Sequence, residues 1–219
     1  MQGMATTAPA PRVDPAEMLK EAALRLFAEH GVAGVTVRQI AELAGQKNHA
    51  AVGYHFGSKD ALVRAVIVHG ARLIDEFRNQ MLDALEARGG PATLIEVTTL
   101  LVQTSLLRSD PPWSDCYNRF VVALQLSHRR LFMDALEGRW NSGYLRCLDH
   151  VRRLLAHLAP TVVNRRLLFM GAALGGILSA RESELADTSR PHPTWTDPAT
   201  LDGVAHALAA ILQGDAPAP

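Results

Sequence analysis

The stretch TVRQIAELAGQKNHAAVGYHFGSKDAL, residues 36–62, decides the fold. It opens on Thr36 with Gln39 three residues later, the spacing of a capping box, in which a hydroxyl at the N-cap and a side chain one turn on satisfy each other's backbone donors. Ile40, Leu43 and Ala44 continue at helical spacing, and Gly45 stops the run. A turn at Gln46 to Asn48 leads into a second short run that reaches Phe56. Gly57 and Ser58 then break that run and cap a long helix starting at Lys59. Two short helices joined through a small residue at a tight turn make a helix-turn-helix, in which the second helix enters the major groove while the first crosses the backbone.

Upstream, Asp14-Pro15 supplies a cap and a first-turn proline, and Met18, Leu19, Ala22, Ala23, Leu26 and Phe27 recur at helical spacing until His30-Gly31. Residues 1–13 are mostly Ala, Thr and Pro and read as a frayed arm. Downstream, the helix from Lys59 reaches towards Arg88, and Gly89-Gly90-Pro91 ends it. Further helices are expected near 92–107, 114–128, 130–158, 161–187 and 198–213, separated at Asp110-Pro111-Pro112, Ala159-Pro160 and Arg190 to Pro198. No useful run alternates with period two. The expectation is an all-α chain: an N-terminal three-helix helix-turn-helix domain over 14–60, a C-terminal helical ligand-binding and dimerisation domain over 61–213, and a tail at 214–219.

With 219 residues, 48% of them hydrophobic, the chain can bury a sizeable core. Formal net charge is zero, so nucleic-acid binding through bulk charge is disfavoured and any DNA contact must come from local geometry. Cys116 and Cys147 show no CxxC spacing and read as buried, reduced thiols of a cytoplasmic protein. The longest uncharged apolar stretch, Leu167 to Ala180, is shorter than the roughly 20 residues a membrane crossing needs, so no span is expected. Signatures of serine hydrolases, phosphate-binding loops, zincins and dinucleotide folds are missing, so neither an enzyme nor a cofactor is expected. His150 and His157 share a helix face without an acidic partner at metal-ligand spacing, and no metal site is expected.

The ordered string Ala22-Ala23, Leu26-Phe27, His30-Gly31, Thr36 to Ala41, Ala44-Gly45 and Tyr54 to Leu62 resembles the N-terminal domain of TetR-family regulators over residues 15–66. That resemblance implies an all-helical homodimer that binds double-stranded, palindromic operator DNA and represses transcription. It also implies a small-molecule effector, of unknown identity, whose binding shifts the spacing of the two DNA-binding heads and releases them. One departure stands out: Gln46 to Gly53 contains one residue more than the family commonly has between the turn and its Tyr-His-Phe. The register of the recognition helix is therefore open by one residue, and Asn48 either caps that helix or reaches a base.

Thr36 lies where free amides and the positive end of a helix attract a phosphate. Tyr54 can give its hydroxyl to a phosphate while its ring covers the small core, Lys59 can set a cation beside the same strand, and His55 can add charge there. Lys47, Asn48, His49 and Ala50 sit at the first turn of the reading helix, with Lys suited to guanine and Asn to adenine. Gly53 either lets the backbone approach the duplex or packs tightly on the first helix. In the second half, Trp113, Tyr117, Arg119, Phe120, His128, Trp140, Tyr144 and Met170 are candidates for lining a ligand cavity or for plain core packing. Gly171, Leu174, Gly175, Leu178, Leu208 and Leu212 are candidates for a twofold four-helix interface, or for packing within one protomer. Residues 119–166 carry nine arginines against Asp134, Glu137 and Asp149, an excess suited to an anionic ligand or to solvated helix faces.

Overall fold

The computed structural model describes residues 14–106 and 115–214. The expected arm at 1–13, Trp113, and residues 215–219 of the expected tail lie outside that range. The described residues form helices and no strand: α1 (Pro15–His30), α2 (Val37–Leu43), α3 (Ala51–Phe56), α4 (Lys59–Glu86), α5 (Leu94–Ser105), α6 (Tyr117–Ser127), α7 (Arg129–Leu136), α8 (Ser142–Leu154), α9 (Pro160–Ala186), α10 (Pro193–Thr196) and α11 (Pro198–Gln213).

Local chemistry sets most of these boundaries. Asp14 caps α1 by accepting from the Ala16 amide at 2.9 Å, Ser58 caps α4 through the Ala61 amide at 3.1 Å, and Asp197 caps α11 through the Ala199 amide at 2.9 Å. The box at Thr36 and Gln39 is formed in both directions. A second box, Thr93 with Glu96, opens α5. Three hydrogen bonds from Ala92 and Thr93 hold the Glu96 carboxyl below its usual range.

The single helix expected over 130–158 is instead two. Glu137 and Gly138 adopt left-handed geometry, φ 50° and 67°, and end α7. The restart at α8 is fixed from outside, because Asp75 on α4 accepts from Ser142 Oγ at 2.7 Å and from the Gly143 amide at 2.8 Å. A carboxylate bound to a helix N-terminus is favourable for charge and for orphan amides alike. The expected loop after residue 190 also contains the short α10.

Two apolar cores result, and α4 runs through both. The first gathers Leu19, Leu24 and Phe27 of α1, Ile40 of α2, Val52 of α3 and Leu62 to Ala71 of α4, together with Tyr117, Phe120 and Leu124 of α6 and Phe132 and Leu136 of α7. The second joins Leu82 at the far end of α4 to α5, α8, α9 and α11. The boundary expected after residue 60 therefore falls at the head of a helix shared by both cores, and α6 and α7 pack with the N-terminal helices. Phe27 and Phe120 stack at 6.1 Å between centroids, so α1 sits directly on α6.

In the second half, most of the candidate cavity and interface residues pack within the protomer. Tyr117, Phe120 and Met170 are buried core residues, with exposures of 3%, 1% and 0%. His128 is exposed at the α6–α7 junction, and Trp140 packs against the first core. Of the expected interface, Leu174, Leu178, Leu208 and Leu212 are buried inside the second core. Gly171 faces the Tyr144 hydroxyl and Gly175 faces Val122, so both serve packing within the protomer. The reason is helical phase: Gly171 lies towards α8 and Gly175 towards α6. The outward face carries Leu168 and Phe169, 69% and 55% exposed, with Ala172 and Gly176.

The joint between α4 and α6 has no slack. The Tyr117 hydroxyl donates to the Ile67 carbonyl at 2.8 Å, and a Cβ placed on Gly70 would lie 2.2 Å from the Tyr117 ring. Gly70→Ala is expected to lower stability by about 1–3 kcal/mol, the usual cost of overpacking. Urea unfolding is the measurement, and an unchanged midpoint would show that the ring is free to move aside.

Candidate nucleic-acid interface

The reading unit is built from short elements that cannot stand alone. α2 has seven residues and α3 six, far below the length at which an isolated helix is stable in water. They are held by Val35, Ile40, Ala41, Ala44, Ala51 and Val52, all buried against α1 and α4. Gly45, at φ 67°, makes the turn between them, a conformation that side chains with a Cβ avoid.

What remains outside is a continuous polar face: Thr36, Arg38 and Gln39 on α2, then Lys47, Asn48, His49 and Ala50 at the turn, then Gly53, Tyr54 and His55 on α3. Gly53 has nothing within 4 Å of where its Cβ would be, so of its two readings the open approach fits and tight packing on the first helix does not. Asn48 Oδ1 accepts from the Ala50 amide at 2.9 Å, so it shapes the turn into α3 as a cap-like residue. The Thr36 hydroxyl is already bonded to Gln39, which leaves the following backbone amides as its contribution to any anion contact.

Two placements differ from expectation. Tyr54 is 86% exposed and covers no core; its ring meets His55 edge to face at 5.0 Å between centroids. Lys59 points inward, where its ammonium donates to the Val32 and Val35 carbonyls and lies 5.9 Å from the Phe27 ring centroid. Carbonyls at the end of the α1–α2 connection lack helical donors, and the lysine supplies one. Two exposed apolar residues, Val37 and Leu43, also sit on α2, at 38% and 54% exposure. Helical spacing after Ile40 would turn Leu43 inward, but a seven-residue helix needs only one buried edge.

The electrostatics of this face are sparse. Arg38 donates to Glu42 at 2.8 Å, and the pair raises the arginine and lowers the carboxyl from their ordinary ranges. With Lys59 turned inward, Lys47 is the cation of this face that no carboxylate among the described residues approaches within ion-pair distance. A groove lined by Met81, Leu85, Ile95 and Leu100, with Arg88 and Gln103 at its rim, runs between α4 and α5. It contains none of the residues expected to line a cavity. Most of the arginines between 119 and 166 are solvent-facing or bonded to surface partners, and Arg166 is buried against the carbonyls of Leu212, Gln213 and Gly214.

Residues 19–66 match the family model described as bacterial regulatory proteins, tetR family. The HTH-type transcriptional repressor AcnR of Corynebacterium diphtheriae is 32% identical over 122 residues, 54% of this chain and 60% of that protein. AcnR of Corynebacterium efficiens is 30% identical over 134 residues, 58% of this chain and 69% of that protein. The chain belongs to the TetR family. The alignment thus spans three-fifths of the first of these relatives and rather more of the second. The crystal structure of the TetR-family regulator PfmR from Thermus thermophilus superposes with a TM-score of 0.55 at 16% identity, covering 90% of this chain and 97% of that one. This TetR-family chain therefore shares that fold over 90% of its length.

The inward Lys59 makes a stability prediction. Lys59→Met is expected to lower unfolding free energy by about 2 kcal/mol, the loss of hydrogen bonds from a charged donor. The salt dependence of DNA binding by the folded variant should stay unchanged. A flatter slope would return Lys59 to the phosphate contacts.

Proposed function

We propose that this chain is a DNA-binding transcriptional repressor that acts as a homodimer in the cytoplasm, binds a palindromic operator and leaves it when a small molecule binds the helical second half. The observation that carries the reading is the exposed face from Lys47 to His55, presented by two helices too short to exist except as a mounted unit. Both Corynebacterium relatives are named HTH-type transcriptional repressors, which supports repression here.

In this reading α3 enters the major groove. Lys47 and His49 meet base edges or the adjoining phosphates, Asn48 sets the entry angle, and Ala50 and Gly53 allow close approach. Tyr54 extends to a phosphate, with His55 behind it. The free amides after Thr36 face the same strand, and Val37 and Leu43 offer apolar contact to sugars or thymine methyl groups. Because Arg38 is paired and Lys59 is turned inward, affinity rests on shape and on few charges.

The second copy binds through the outward faces of α9 and α11. Leu168 and Phe169 stand beside Ala172 and Gly176 on α9, and Gly203, Ala207 and Ala210 are exposed on α11, so a partner pair of helices meets small residues and two large apolar ones. A helix of 27 residues that is apolar on its outward face and also packs on α6 and α11 is explained by a covered surface.

Selection from random duplexes should return an inverted repeat whose half-sites lie about one or more helical turns, ~34 Å each, apart. Lys47→Ala is expected to change the selected sequence or to reduce the salt slope of binding by about one. The same selected site with the same slope would remove it from the interface. Phe169→Glu should convert the dimer to monomer in sedimentation analysis and abolish half-site cooperativity; an intact dimer would place the twofold axis elsewhere.

A further inference from the structure

Among the described residues, a buried cation of the second core has no carboxylate in contact. Arg78 occupies the buried stripe of α4, one turn beyond Asp75, and is only 6% exposed. Its Nε donates to Thr104 Oγ1 at 2.8 Å and its Nη2 to Ser105 Oγ at 2.9 Å, both neutral hydroxyls of α5. Asp75, one turn back on α4, favours the charge but makes no hydrogen bond to it: its oxygens accept from Ser142, the Gly143 amide and Asn79. The other buried carboxylate, Glu182, accepts from Asn118 and from the Asn118 and Arg119 amides at the start of α6. A buried charge normally has a partner, because desolvating it alone costs several kcal/mol. Burial accordingly lowers the pKa of the Arg78 guanidinium from its ordinary value.

The unfilled valence has a direction. A guanidinium has five N–H donors, and those on Nη1 have no partner among the described residues. Beside it, the Arg78 Cζ lies 5.8 Å from the centroid of the Tyr144 ring. The Tyr144 hydroxyl reaches α9 at Gly171 and likewise makes no hydrogen bond among the described residues. Arg78 Nη1 on α4 and the Tyr144 hydroxyl on α8, against α9, are thus two donors without a partner among the described residues. Two donors match the two oxygens of a carboxylate, the anion that a guanidinium binds by paired hydrogen bonds.

We propose that Arg78, with the Tyr144 hydroxyl beside it, is the anchor for the effector and that the effector is an organic acid held by its carboxylate. This rests on the sensor reading given above and names its ligand class. It also moves the anionic handle from the arginines of 119–166, which the structure directs elsewhere, to a residue on α4. A carboxylate there draws α5 and α8 about the one helix that enters both cores.

Calorimetry on the full-length protein tests it, using octanoate and benzoate against octanamide and benzamide, with inorganic phosphate as a separate arm at matched ionic strength. The acids are expected to bind about tenfold or more tighter than their amides, the worth of hydrogen bonds to a charged partner. Arg78→Gln should erase that preference, Arg78→Lys should keep part of it, and Tyr144→Phe should weaken the acids alone. Equal affinity for acid and amide overturns the proposal, as does no binding of either acid at millimolar concentration. A preference surviving in Arg78→Gln with a cooperative melt overturns it too, as does binding of phosphate in place of the acids. If Arg78→Gln fails to fold, the acid and amide comparison on the unaltered protein decides alone. Binding to the selected duplex is measured without any probe. Its loss with the acid preference intact sinks the regulator reading only, and its presence without the preference sinks only the carboxylate.

Discussion

Tyr117 stands at the joint on which the molecule turns. Its hydroxyl is bonded to a carbonyl inside α4, and its ring occupies the space that any side chain at residue 70 would need. Three residues on, Phe120 stacks against Phe27 of α1. Burial raises the Tyr117 phenol far above its usual pKa, so it remains a neutral donor at any ordinary pH. Through these two aromatics the N-terminal helices, α4 and α6 share one core. A displacement of α4 or α6 is then felt by the reading unit without passing through a flexible linker, because packed interiors resist continuous deformation.

The reading face illustrates how a chain of zero formal net charge is suited to meet a polyanion. Its cations are mostly committed within the protein: Arg38 to Glu42 and Lys59 to the carbonyls of the α1–α2 connection. What the face offers instead is geometry, with unbonded amides after Thr36, small residues at Ala50 and Gly53, and an exposed tyrosine. Non-specific attraction is then weak, and discrimination depends on fit, which favours a regulator that must ignore most of the duplex it meets.

The second core is unusually polar along its seams. Thr98 bonds across to the Ala205 carbonyl, Asp75 holds the start of α8, Glu182 holds the start of α6, and Arg78 reaches α5. Each of these groups fixes one helix against another at a defined register, since leaving it without its partner in the interior is costly. Of these four, Arg78 is the cation, and it keeps donors that no described residue takes up. Asp75 and Arg78 were visible in the sequence as charged residues on the apolar stripe that runs from Leu62 through Ile67 and Ala71 to Leu82, a pattern that surface-charge counting overlooks.

Amino-acid order alone determined the all-helical class, the capping boxes and turn of the reading unit, and the boundaries of α1, α2 and α11, because caps, glycines and helical periodicity act over a few residues. Only the tertiary structure decided which way each face turned. A leucine on α9 looks the same whether it meets α6 or a second copy, and Lys59 looks like a surface cation until the carbonyls of Val32 and Val35 come within reach. The restart of α8 depended on Asp75, 67 residues away in the chain from Ser142, and no local pattern carries a contact of that range.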